Sequence, residues 1–440
     1  MHTQCIILLL CMNYRYKNMP KGCIYKYSIG MVVLILCISR VASAQINGTA
    51  MGGIVTVTSE GSNDTTRNPA LLGIVANSII NMYATGTAFY DEETNPRMHA
   101  SDINIQSVQQ SNDYYYTFSI VAGYAKPLSK GTIGYSLSSK DNLYLRRKDV
   151  QKLSGDVSGI SFTQTQTTTT DELTPTVTIA YGWKLFDNNY AGLQIAATPY
   201  LSNNDTKTDN SLSPSYSFTL KEYALIIQPA IGYLMTDGTS QVGLRFIPST
   251  VKLTKKKVDA DFSTGDSSYN DDLKIQQLEG PQINAGGYVQ ITPTLGIALE
   301  AGFIMPSEYS NTSIQVTDNP SPAIKHQSIE VKNNPILLLK GGTQYTINGS
   351  LQIMSGIAFF HLFNNAANSN SMGRGKYNSL LMTLGCNYIY TPDIVITGLL
   401  IVSRNSIDTY YHSEDSISLE SETKSNVWTI TVGAGISYKL

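Results

Sequence analysis

From residue 113 onward the chain repeats one unit: a run of roughly ten residues alternating apolar with polar, a short turn, a second such run, and a long polar stretch. The turns are Pro127-Leu128-Ser129-Lys130, Asp187-Asn188-Asn189, Thr236-Asp237-Gly238-Thr239, Thr292-Pro293-Thr294, Ile347-Asn348-Gly349-Ser350 and Thr391-Pro392-Asp393, built from residues that favour tight reversals. The polar segments fall near 146–173, 202–220, 252–280, 306–334, 363–377 and 405–425. A period of two puts successive side chains on opposite faces of a strand. The pattern therefore describes an antiparallel sheet with its short connections at one end and its long ones at the other. A soluble sandwich has no reason to sort connections by length. A membrane-spanning barrel does, with short periplasmic turns, long outer loops and strands of about ten residues.

The strand interiors assign the faces. In TVTIAYGWKLF, Val177, Ile179, Tyr181, Trp183 and Leu185 alternate with Thr178, Ala180, Gly182 and Lys184; in LGIALEAGF, Leu295, Ile297, Leu299, Ala301 and Phe303 alternate with Gly296, Ala298, Glu300 and Gly302. An ionised Lys184, Arg245 or Glu300 facing hydrocarbon is costly, so these faces belong to the lumen and the apolar faces to lipid. Tyr116, Tyr124, Tyr233, Tyr388 and Tyr390 near strand ends fit interfacial girdles. The hairpins and the terminal strand VWTITVGAGISYKL make an odd number, and SIINMYATGTAFY at 78–90 supplies the strand that closes an even wall. The expected fold is all-β: a transmembrane antiparallel β-barrel of about 14 strands, both termini on the periplasmic side, with a small N-terminal helical plug. Outer-membrane lipid is its solvent. A C-terminal strand ending in an apolar residue resembles the signal read by outer-membrane assembly machinery, although Leu440 stands where phenylalanine is commoner.

Three parts follow: a leader at 1–44, a plug at 45–77 and the barrel at 78–440. Lys17, Lys21 and Lys26 precede the apolar run IGMVVLILCI, and Ala42-Ser43-Ala44 offers the small residues of a signal-peptidase site, so cleavage is expected near Ala44/Gln45. MPKGCIYKYS makes Met19 an alternative start. Cys5, Cys11, Cys23 and Cys37 leave with the leader, and Cys386 alone cannot staple the mature fold. With a net charge of -2 and 15% charged residues, nucleic acid is not an expected partner. His99, His326, His361 and His412 are scattered without metal-ligand spacing, and neither a nucleophile motif nor a phosphate loop is present. No metal, cofactor or enzymatic activity is expected, and the chain reads as a monomer.

The plug segment contains RNPALLGIVANSI, where Asn68 caps a helix start, Pro69 takes the first helical position, and Leu72, Val75 and Ile79 recur at helical spacing. Asn68-Pro69-Ala70 just before the first strand, the leader, the strand count and the long-loop pattern together resemble the outer-membrane long-chain fatty acid transporter family, which also holds aromatic hydrocarbon transporters. The resemblance spans the mature chain as architecture and one tripeptide as motif. It implies a lumen closed by the N-terminal segment, with Asn68, Pro69 and Ala70 as gating residues, and a kink in the third strand that opens the wall sideways. Ser138-Ser139-Lys140-Asp141-Asn142, which interrupts the lipid-facing phase of Ile133, Tyr135 and Leu137 before Leu143 resumes it, looks similar to that kink; the alternative is that the strand leaves the membrane at Ser138.

Hydrophobic small molecules are then the expected cargo. Such transport needs an apolar pocket, stabilising the cargo by roughly 0.8 kcal/mol per buried methylene, and a movable gate. Lumen-facing candidates are Val121, Ile226, Leu234, Met354, Phe360, Leu381 and Leu399, with Leu71 and Ile74 from the plug. A general porin, and a structural barrel serving secretion or surface attachment, stay open beside the transporter.

Overall fold

The computed structural model describes residues 50–58, 61–91, 97–100, 103–112, 116–157, 160–211, 215–262, 265–317, 323–362, 374–413 and 419–440. The expected leader and its cleavage site lie outside these residues. Fourteen antiparallel strands make the wall. The first six are β1 (Ile79–Asp91), β2 (Tyr116–Leu128), β3 (Gly131–Val157), β4 (Ile160–Phe186), β5 (Asn189–Asn210) and β6 (Tyr216–Thr236). Two strands are broken: β7 runs over Ser240–Ile247 and, past Pro248-Ser249, over Thr250–Phe262, and β8 over Lys274–Glu279 and, past Gly280-Pro281, over Gln282–Thr292. The rest are β9 (Leu295–Ile304), β10 (Ile336–Asn348), β11 (Leu351–Leu362), β12 (Arg374–Thr391), β13 (Ile394–Ser413) and β14 (Leu419–Lys439).

Closure is direct. β14 lies antiparallel to β1 from Ile79↔Lys439 to Asp91↔Val427, and the Leu440 amide donates to the Ser78 carbonyl at 2.8 Å. Each strand pairs with its sequence neighbour around the ring, so every ladder inside the bilayer has two sides. That is the requirement hydrocarbon imposes on backbone N–H and C=O groups.

The faces follow the alternation. Leu299 is 65% exposed on the outside while its neighbour Glu300 is 4% exposed inside; Val242, Leu244 and Phe246 point out and Arg245 points in. On the outer surface Tyr181 and Trp183 stack at 5.7 Å, and Tyr345, Tyr388, Tyr390 and Tyr438 stand at the same short-turn end, an interfacial aromatic belt. The Arg404 guanidinium lies 5.6 Å from the Trp428 ring towards the other end. The short turns are locally specified. Asp237 accepts from the amides of Thr239 and Ser240 at 2.9 and 2.6 Å, and these bonds hold its carboxyl below the usual range.

At the long-loop end the structure corrects the expectation of long polar loops. Most of those segments continue the strands: β3 reaches Val157 and β4 starts at Ile160, in register throughout the polar stretch TQTQTTTT. Neither face meets lipid there, so the apolar alternation disappears while backbone pairing continues. Side-chain ladders replace it, with Thr168 bonded to Thr206 at 3.1 Å and Thr170 to Asn204 at 2.6 Å. Ser307–Thr317 and Ala323–Asn333 form a separate hairpin beyond β9 and β10.

Leu299→Arg places a charge on the lipid face in the middle of β9 and is expected to cost about 2–4 kcal/mol in denaturant unfolding from lipid vesicles.

Candidate functional site

The described residues of the N-terminal segment, 50–58 and 61–75, lie against the inward face of the wall. Between Ala50 and Val75, Met51, Ile54, Val57, Ala70, Leu71 and Leu72 are at most 1% exposed, packed against inward residues of the wall. Two helical pieces lie wholly within the described residues, Gly61–Thr66 and Pro69–Ile74, and both are 3-10 stretches. The second begins as its sequence dictates: the Asn68 side chain accepts from the Ala70 amide at 3.2 Å and Pro69 opens the turn. It ends sooner than the apolar spacing predicts. Val75 is already extended at φ -73, ψ 110, and Ile79 begins β1 instead of completing a helical stripe. A lumen walled on all sides leaves room for two 3-10 turns before the chain must enter the wall.

Polar contacts fix this plug. Glu300 on β9 accepts from the amides of Val55 and Thr56 at 2.8 and 2.9 Å and from the Thr56 hydroxyl at 2.8 Å. Its second oxygen takes the Lys340 ammonium at 2.8 Å, which also donates to the Gly53 carbonyl at 2.8 Å. Both side chains are buried, at 0% and 9% exposure, so the pair is satisfied only while the plug is seated. Asn68 donates to the Thr56 carbonyl at 2.9 Å and the Tyr233 carbonyl at 3.1 Å, tying plug to itself and to β6. Arg67 donates to the Ile54 carbonyl at 2.8 Å, and Arg245 of β7 reaches the Thr66 carbonyl at 3.3 Å. Thr383 of β12 donates to the Ala50 carbonyl at 2.6 Å and accepts from the Gly52 amide at 3.0 Å.

Glycines make the seat. Gly182, Gly192 and Gly232 stand in register on β4, β5 and β6, and a methyl group at any of them would collide with residues 68–73. Gly342 and Gly356 pair across β10 and β11 in the same way beneath Met51 and Gly52. The sequence marks these glycines only as inward-facing; their alignment needs the register. The glutamate was equally legible as a lumen residue, since a carboxylate inside an apolar strand demands partners, but nothing local names Lys340 or Val55.

Beside the plug lies a cavity of about 240 Å³ lined by Thr66, Tyr83, Val121, Ser138, Thr176, Thr178, Gln194, Ala196, Thr198, Ile226, Gln228 and Thr250. Thr66 comes from the plug and the rest from the arc β1 to β7. Next to it the ladder is interrupted on successive strands. Residues 119–121 of β2 stand opposite 138–143 of β3, and residues 140–143 bulge between Ser139↔Pro175 and Tyr144↔Leu173. Pairing of β4 with β5 lapses between Leu173↔Leu201 and Val177↔Ala197, where Pro175 and Pro199 have no N–H to give, and β7 breaks at Pro248 just before Thr250.

The candidate lining residues separate into groups. Val121 and Ile226 line the cavity. Leu71, Leu234, Met354 and Leu399 are instead packed in one cluster with the plug, with Ile74 against it, because the lumen at their level is filled by residues 50–58 and 68–74. Phe360 and Leu381 face inward, half-buried, on β11 and β12 and belong to neither group. Of the third-strand residues, Ser138 is buried and lines the cavity, while the side chains of Ser139, Lys140, Asp141 and Asn142 lie outside the described ones. His361 is bonded through Nδ1 to Asn378 at 2.7 Å and stacks on Phe359.

No protein-family profile matches the sequence, and no curated sequence matches it. Solved structures match its fold. A Pseudomonas aeruginosa FadL homologue superposes with a TM-score of 0.61 at 10% identity, covering 90% of this chain and 99% of that one. The Ralstonia pickettii toluene transporter TbuX gives 0.52 at 12%, covering 87% and 96%, and the P. putida toluene transporter TodX 0.52 at 11%, covering 91% and 99%. The barrel therefore has the fold of these FadL-like channels.

Glu300→Gln leaves the buried Lys340 ammonium without its counter-charge, a loss of about 3–5 kcal/mol. Hydrogen exchange at the Val55 and Thr56 amides is expected to rise by at least ~100-fold, with the β1–β14 seam still protected.

Proposed function

We propose that this chain is an outer-membrane channel that takes up small hydrophobic molecules, long-chain fatty acids or other apolar compounds, by passive movement through a barrel closed by its own N-terminal segment. The observation that carries the reading is the combination of a fully seated plug with a cavity beside a broken stretch of wall. An open porin has no use for such a plug. The channels sharing this fold include transporters named for toluene, which supports a hydrophobic cargo here.

In this reading cargo enters from the long-loop end, rests in the cavity against Val121 and Ile226, and leaves sideways through the interrupted ladders around Ser138–Asn142, Pro175 and Pro199. The lateral route keeps an apolar molecule out of the aqueous periplasm, where each exposed methylene costs roughly 0.8 kcal/mol. The plug is the gate. Asn68, Pro69 and Ala70 set its position, because Asn68 joins Thr56, Tyr233 and the turn that follows Thr66, which lines the cavity. Such a channel acts as a monomer, works without metal or cofactor and carries out no bond chemistry, and its chain is exported with cleavage near Ala44/Gln45 and inserted through its C-terminal strand.

Asn68→Ala removes these bonds, including the one to the Tyr233 carbonyl of β6, and changes no residue of the wall. Uptake of a labelled apolar compound by cells carrying the variant is expected to fall several-fold, by roughly the factor of ten that about 1.4 kcal/mol represents, while the protein still migrates as an assembled barrel in unheated gels. Wild-type uptake equal to that of cells lacking the protein would sink the proposal, as would liposome swelling by sugars at porin-like rates.

A further inference from the structure

The cavity's chemistry is unlike that of a hydrocarbon pocket. Of its lining, Thr66, Ser138, Thr176, Thr178, Thr198 and Thr250 bring hydroxyls and Gln194 and Gln228 bring amides, against the apolar surface of Tyr83, Val121, Ala196 and Ile226. No carboxylate, ammonium or guanidinium lines it. The Arg245 guanidinium points inward from β7 beside the cavity and donates to the Thr66 carbonyl and the Gln194 side-chain oxygen, at 3.3 and 3.4 Å.

Thr250 is already engaged, accepting from the Gln228 amide at 3.0 Å and donating to Glu279 at 3.2 Å, but the hydroxyls of the β4–β5 side keep bonding capacity. Thr176 and Thr198 share one hydrogen bond at 2.7 Å, which consumes one proton of the two and leaves a donor and several lone pairs. Gln194 spends its oxygen on Arg245, and its amide nitrogen carries two further donors. A pure hydrocarbon seated here would cover such groups without pairing them, and covering an unpaired hydroxyl or amide is costly. A carboxylate would find no cation in the lining itself and would have to take Arg245 from the Thr66 carbonyl and the Gln194 oxygen. The volume, about 240 Å³, lies below the range of roughly 300–1,000 Å³ usual for drug-sized ligands, so the occupant is small.

The geometry points to a cargo that is small, uncharged and oxygen-bearing: a ring or short chain carrying a hydroxyl or carbonyl, held by Thr176, Thr178, Thr198 and Gln194 through that group and by Val121 and Ile226 through its apolar body. This rests on the transport reading and narrows it. Discrimination comes from the buried polar groups, since a site built to bond a hydroxyl rejects the analogue that lacks it far more strongly than an apolar pocket discriminates by shape.

Toluene and p-cresol differ by one hydroxyl and form the test pair, with octanoate as the charged comparison. Calorimetric titration of the full-length barrel in detergent is expected to give saturable p-cresol binding, with toluene and octanoate each at least ~10-fold weaker. Thr198→Val is expected to weaken p-cresol by ~10-fold and leave toluene unchanged; Thr178→Val serves if the first variant does not assemble. Toluene or octanoate binding as tightly as p-cresol overturns the inference, as does p-cresol binding that ignores both substitutions. If none of the three binds but cells with the protein still take up apolar compounds faster than cells without it, the inference fails and the transport reading stands. If uptake fails as well, both fall.

Discussion

Hydrocarbon accepts no hydrogen bonds, and that constraint organises the whole molecule. It forces each ladder within the bilayer to have a partner on both sides, which the β1–β14 seam completes through the Leu440 to Ser78 bond. It expels Glu300, Arg245 and Lys340 from the outer face into the lumen, where they would be costly in their turn without something to bind. The plug is that something. Its backbone amides and carbonyls complete Glu300 and Lys340, and the wall completes the plug, so neither is satisfied alone.

The plug is also held sterically. Rows of glycine, Gly182-Gly192-Gly232 and Gly342-Gly356, let backbone lie against backbone at two places on the wall, one for residues 68–73 and one for Met51-Gly52. Close approach of this kind gives position more than energy. Glu300 and Lys340 add an electrostatic latch on β9 and β10, and Asn68 a hydrogen-bonded one on β6. The cavity opens on the arc β1 to β7, beside the Gly182-Gly192-Gly232 row and the Asn68 bond, so a ligand there would lie directly against the ties that hold residues 66–73.

How much of this could be read from the chain depended on the range of the physics. The strands, their faces and the closing partner of the terminal strand are encoded by alternation within ten residues, and TVTIAYGWKLF, LGIALEAGF and VWTITVGAGISYKL all took the faces their patterns dictate. Where lipid stops, the pattern stops too, and TQTQTTTT was therefore invisible as strand although it is paired throughout. Asn68-Pro69 announced a capped turn but not its length, because the lumen and not the helical spacing ends it. The lining was the least legible. Leu234, Met354 and Leu399 face inward as their phase requires, yet whether an inward residue meets plug or cavity depends on where a distant segment lies, and sequence spacing carries no record of that.

The interrupted ladders have a mechanical consequence. A fully hydrogen-bonded cylinder spreads strain around its circumference; in this one the interruptions at the bulge of β3, at Pro175 and Pro199 and at Pro248 gather on the arc beside the cavity, with β5 and β6 still paired between them. Each hydrogen bond absent from a ladder lowers the cost of parting it, so the wall is easier to part beside the cavity than along the unbroken β1–β14 seam.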